Sequence, residues 1–322
     1  MNLKSFLRSL SWLVVLNVLV KPLWVFGIDR KVQVSVGHER YGSYFAILNL
    51  AIILSIIADA GLTNMINREL ALQRRVSARR LIASKCALSA AYMLVLCAVA
   101  GASGLRDWPL ILLTGALQIG SSFLLLFRNM VTGYQQFRAD AWLSVTDKTL
   151  TILICGSLLY LPFQSALTLK GFLWIQLGAT LLAVALAALI ASRHHQPPVE
   201  RTSYSVLFRQ SAPFILLILL MSVHTRLDAF LLERLHPQGA LQAGIYAAAY
   251  RLLDAGNTVG YMTAAFLVPF AARNLSNNAL IDSTALRLRH ALLAAAWAFV
   301  AFCAAFAAPI MRVLYHTIDA YS

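Results

Sequence analysis

Apolar runs of about 20 residues recur along almost the whole of this chain, separated by short polar gaps. This constrains the fold more than any motif does. About 20 apolar residues at 1.5 Å rise cross the hydrocarbon core of a bilayer. Helices are the only open-chain structure that satisfies its own backbone there. The chain therefore reads as an all-α, polytopic membrane protein. Composition agrees, since 60% of the 322 residues are hydrophobic and only 12% are charged, roughly half the charge of a soluble domain.

Nine spans are expected, at roughly 11–30, 42–66, 82–104, 109–132, 142–161, 171–192, 211–235, 244–271 and 290–311. The first follows a basic start, MNLKSFLRSLSW, with no small-residue cleavage site, and reads as a retained helix, not a signal peptide. The first two spans form a hairpin about a polar corner, HERYGSY. Every gap is short, so no soluble domain is expected.

The net charge of +14 does not indicate a nucleic-acid partner, because the basic residues lie in separate loops, not on one face. Lys and Arg accumulate on the cytoplasmic side of membrane proteins. With the N-terminus inside, 16 basic residues, Lys85 and Lys148 among them, fall in inner segments. Seven fall in outer segments: Arg30, Lys31, Arg40, Arg106, Lys170, Arg234 and Arg312. The other four, Lys21, Arg128, Arg226 and Arg251, lie within spans. The count predicts a cytoplasmic N-terminus.

The longest inner loop, 193–210, contains two prolines and divides the chain into a six-helix bundle, 1–192, and a second bundle, 211–322. The second bundle has three helices, half of an even repeat. It is either naturally short or the front of a longer chain. A weak internal echo supports two bundles: ERYGSYFAI, from residue 39, matches LQAGIYAAAYR, from residue 241. Aligning Gly42 with Gly244 gives an offset of 202 and sets Lys21 beside His224. Repeats of this kind mark transporters with the substrate site between related bundles.

The four cysteines lie in or beside apolar spans without CxxC spacing, so they read as packing residues, with no disulfide framework. His194 and His195 have no third ligand nearby, and no metal site is expected.

Ionisable groups inside spans usually face a bundle interior or water. Lys21 is ten residues into the first span, with Asn17 one turn earlier and Pro22 beside it as a kink candidate. It reads as a cavity-lining cation, against the alternative of snorkelling to the headgroups. Span seven carries His224, Arg226 and Asp228; Arg226 is either a cation for an anionic substrate or a partner of Asp228. Span eight carries Tyr246, Tyr250, Asp254, Asn257 and Tyr261 on one helix face. The stripe is suited to sugar contacts or to plain packing, and Arg251 is placed to pair with Asp254 at i, i+3. In span two Asp59, Thr63 and Asn67 share a face, and Arg68 ends the span as a gate or a headgroup anchor. Asp59, Asp228 and Asp254 are candidates for binding a coupling proton or sodium ion. No catalytic motif, Walker loop or acidic cluster occurs, so an enzyme is not expected and no cofactor is implied.

The residues KP in the first helix, GHERYGSYFAI, DAGLTN and NREL, then RLDAFLLE, AGIYAAAYRLLDAGN and VPFAARNL, resemble Wzx-type polysaccharide flippases. These belong to the MOP superfamily with the MATE exporters and MurJ. The resemblance covers essentially the whole chain. It implies two six-helix bundles. The activity it implies is flipping of an undecaprenyl-pyrophosphate-linked oligosaccharide across the bacterial inner membrane by alternating access, for O-antigen, capsule or exopolysaccharide. It makes Lys21, Arg226 and Arg251 candidate contacts of the pyrophosphate. Tyr246, Tyr250 and Asn257 become candidate sugar contacts. Glycosyltransferases and a polymerase become candidate partners beside the lipid-linked sugar and the membrane lipids. The alternatives are a MATE-like ion-coupled exporter of small cations, a membrane glycosyltransferase or ligase, and a non-functional flippase fragment. Four basic against three acidic residues within spans (Asp59, Asp228, Asp254) favour an anionic cargo over the cationic one. The absence of any long outer loop argues against the enzyme.

Overall fold

A computed structural model describes residues 12, 15–63, 66, 70, 77–134, 136–160, 167–193, 204–273 and 278–315. Among these residues every apolar run is helical and no strand occurs. Helix 15–22 leads into a π-helical turn, Leu23–Asp29, and then α1, Arg30–Val36. There follow α2 His38–Leu54, α3 Ile56–Asp59, α4 Ala78–Ala102, α5 Trp108–Gly133, α6 Phe137–Tyr160 and α7 Leu169–Arg193. The last four are α8 Tyr204–Leu235, α9 Gly239–Arg273, α10 Asn278–Ala305 and α11 Ala307–Tyr315.

Seven stretches are long and apolar enough to cross a membrane: His38–Asp59, Arg79–Ala102, Trp108–Gly133, Phe137–Tyr160, Leu169–Arg193, Ile215–Leu235 and Ile281–Ala305. They correspond to seven of the nine expected spans. The other two, 11–30 and 244–271, fall on helix 15–36 and on α9. Leu94, Leu189 and Trp297 are each more than half exposed, as lipid-facing side chains are in a membrane helix.

The first hairpin turns earlier than its polar residues suggest. Gly37 has φ +91° and ψ 151°, a conformation only glycine adopts without strain. The chain therefore turns at Gly37, and HERYGSY forms the first two turns of α2. Pro22 has no N–H to give the preceding turn, and the π-helical turn begins directly after it. Span two is not continuous either. Ser55 interrupts it, and Ala60 and Gly61, at φ +43° and +77°, end α3 in the left-handed region.

The chain forms two compact units, Met1–Gly244 and Ile245–Ser322. In the first, α5 and α6 pack on α7, α8 runs along α2, and α4 lies against α3 and α5. Small residues on α7 permit the close approach. Ala179, Ala183, Ala187 and Ala191, four apart, are at most 3% exposed, a small-residue stripe of the kind that brings membrane helices together. The first turn of α9 crosses α2 in the same way. A Cβ on Gly42 would strike the carbonyl of Ala240, and one on Gly244 would strike that of His38. The offset of 202 pairs both Gly42 with Gly244 and His38 with Ala240, so the crossing exchanges equivalent residues, as a two-fold contact does. Buried Gln33 clasps the same crossing, donating to the Gly244 carbonyl at 2.8 Å. In the second unit α11 packs on α10.

Candidate functional site

Within the first unit, the expected headgroup cation Lys21 sits on helix 15–22, one turn after Asn17. Asn17 is buried and donates to the Ser144 hydroxyl of α6 at 2.9 Å, fixing that helix on α6. Lys21 itself is exposed and, among the described residues, makes no hydrogen bond or ion pair. Its ammonium lies within Coulombic reach of Arg128, Lys148 and Asp147. Arg128 on α5 grips Asp140 on α6 in a bidentate pair, at 2.7 and 3.3 Å. Lys148 lies 3.4 Å from Asp147 and over the ring of Trp24, 4.5 Å from its centroid. Three cations thus gather about two carboxylates that are already engaged. Lys21 is the exposed member of the three.

Arg226, on α8, reaches the Asn49 side-chain oxygen of α2 at 3.5 Å. Asn49 is buried, its amide nitrogen donating to the Phe45 carbonyl at 2.7 Å. Both residues lie near the middle of their spans. Arg226 therefore sits on the α2–α8 seam, half-buried, while Asp228 and His224 are exposed.

In the second unit Arg251 is 5% exposed and donates to the Tyr315 hydroxyl at 2.7 Å. Tyr250 is buried against Tyr246, ring centroids 5.6 Å apart. Asn257 is exposed and Asp254 half-buried. The side chain of Tyr261 and the whole of Arg68 lie outside the described residues, as do residues 194–203 of the linker, His194 and His195 included.

Asp59 is engaged. It accepts from Thr63 and is paired with Lys85 at 2.9 Å. Counting charges by loop placed Lys85 in an inner segment, whereas α4 begins at Ala78 and carries Lys85 two turns inward, fully buried. Asp147 and Lys148 are likewise mid-helix in α6, so the in-span charges are more numerous than four basic and three acidic. The expected span 82–104 already enclosed Lys85, so the span's own bounds were the available signal. For Arg128 and Asp140 it was their placement on either side of the short turn that joins α5 to α6. Asp29 was also missed; it is buried and accepts from the Tyr41 hydroxyl through both oxygens, at 2.8 and 2.9 Å. Among the described residues no cluster of His, Cys, Asp or Glu could hold a metal ion.

The polysaccharide biosynthesis protein family matches residues 6–275. The chain belongs to this family. It is the family of Wzx-type polysaccharide flippases in the MOP superfamily, and the helical, multi-pass architecture is that of such a membrane transporter. No curated protein and no solved structure matches the chain.

Proposed function

We propose that the protein flips a pyrophosphate-linked oligosaccharide, carried on a polyprenyl lipid, from the cytoplasmic to the outer leaflet of a bacterial inner membrane. The observation that carries this reading is Lys21: a mid-span lysine, exposed, without a partner among the described residues, with Arg128 and Lys148 close by. A cation held in a membrane at a cost of a few kcal/mol marks a pathway for charge. Family membership supplies the polysaccharide. Lys21 and Arg226 engage the pyrophosphate. Tyr246 and Asn257 offer ring and amide surfaces to the sugars, and the prenyl tail stays in lipid. Alternating exposure of the site to the two sides, coupled to a proton or sodium ion, moves the headgroup.

The test is complementation of a strain lacking its own flippase. Lys21→Ala abolishes surface polysaccharide at normal protein level, and Lys21→Arg retains much of it. Normal export by Lys21→Ala would remove Lys21 from the pathway. A cation exporter would instead offer acids to its cargo, and Lys21→Ala would leave its drug efflux intact.

A further inference from the structure

Four of the seven basic residues that the loop count assigns to the outer side, Arg40, Arg106, Lys170 and Arg234, line one cavity of about 720 Å³ in the first unit. They come from four different places in the sequence: the start of α2, the α4–α5 turn, the start of α7 and the end of α8. Two carboxylates share the cavity, and both are engaged. Asp107 caps α5 by accepting from the Leu110 amide and pairs with Lys170 at 3.3 Å. Glu233 pairs with Arg234, whose guanidinium also donates to the Ser103 carbonyl at 2.7 Å. Arg40 and Arg106 are exposed and have no carboxylate partner among the described residues.

The positive-inside tendency works against basic residues on the outer side of a membrane protein. Scattered exceptions mean little, but convergence of four on one cavity is a site. Three helices also begin at this end, α2, α5 and α7. Helices α1, α4 and α8 end there as well, so the helix dipoles largely offset one another and the side chains set the sign of the charge. Two cations are in excess of the carboxylates, and arginine's planar fork suits phosphate oxygens. The cavity lies where spans end, the depth of lipid headgroups.

We propose that this cavity is an outer-side binding site for a phosphate-bearing lipid headgroup, held chiefly by Arg40 and Arg106. Its use as a receiving station for the flipped pyrophosphate lipid rests on the flippase reading; its affinity for phosphate does not. In that role it lowers the free energy of the headgroup once the mid-span cations release it, and so favours net outward movement.

The full chain in detergent is titrated with inorganic pyrophosphate by calorimetry. Arg40→Gln/Arg106→Gln weakens binding about tenfold or more, the loss of roughly one charge-assisted contact. Arg40→Lys/Arg106→Lys stays within about threefold, because the charge is kept. Equal binding by the Gln pair and the wild type, or no binding by either, overturns the site. A lowered melting temperature in the Gln pair but not the Lys pair, with binding unchanged, also counts against it. Nanodiscs of phosphatidylcholine containing phosphatidylglycerol or a polyprenyl pyrophosphate then separate the sources. Tighter Arg-dependent retention of the pyrophosphate lipid assigns the cavity to the cargo, and equal retention assigns it to bulk anionic lipid. The two readings fail separately. Export lost in Lys21→Ala with no Arg40/Arg106-dependent binding sinks the cavity alone. No export restored by the wild type in the strain lacking its own flippase, with such binding, sinks the flippase alone.

Discussion

Asp59 and Lys85 show how one residue's surroundings decide its part. Asp59 ends α3, where the helix dipole disfavours a carboxylate. Lys85, wholly buried on α4, supplies the counter-charge at 2.9 Å. Removing one partner of such a pair strands the other, at a cost of about 3–5 kcal/mol. We therefore expect Lys85→Met to lower the thermal stability of the solubilised protein by about 3 kcal/mol. The double variant Asp59→Asn/Lys85→Met recovers most of that loss. A double variant no better than the single would show that the pair is not coupled. Asp59 as an ion-coupling residue makes a different forecast: Asp59→Asn would stop export while protein level and melting temperature hold.

At the scale of elements, two glycines fix how helices meet. Gly37 ends the first helical run, and Gly37→Ala is expected to destabilise the hairpin by about 1–3 kcal/mol, because its φ and ψ lie in a region essentially closed to residues with a Cβ. Gly42 has no room for a side chain because the Ala240 carbonyl occupies its Cβ position. Gly42→Val is expected to abolish folded protein, measured as monodisperse material after solubilisation, whereas Ser43→Val, one residue on, leaves it intact. Well-folded Gly42→Val would mean that α9 does not cross α2 here. The echo between residues 39–47 and 241–251 was legible in sequence as a loose match. That its two glycines touch was not, because contact depends on how the two helices cross.

At the scale of the whole molecule, the orientation rests on arithmetic that survives the helix boundaries. Moving Lys85, Lys148, Arg287 and Arg289, each about two turns or more inside a helix, out of the inner set leaves 12 inner basic residues against seven outer ones. The bias still predicts a cytoplasmic N-terminus. In a variant with Cys86, Cys97, Cys155 and Cys303 replaced, Asp107→Cys is expected to react with a membrane-impermeant maleimide in intact spheroplasts. Gln136→Cys, at the opposite end of α5, is expected to react only after lysis. The reverse pattern would invert the orientation and move the basic cavity to the inner side.

Local composition and short motifs were enough to give the class, the membrane, the apolar runs and the polysaccharide flippase family. Hydrophobic length and backbone satisfaction in lipid leave few other folds, and these are properties of local composition. The sequence also pointed to Lys21, because a lysine deep in an apolar run is conspicuous in one dimension. Which charges are engaged became visible only in the packed helices. Lys85 found Asp59, Arg128 found Asp140, Arg251 found Tyr315, and Lys21 found no partner among the described residues. Only that packing could gather Arg40, Arg106, Lys170 and Arg234 into one cavity, since they are scattered over nearly 200 residues. Pairing is a matter of distance across helices, and sequence spacing measures distance only along one.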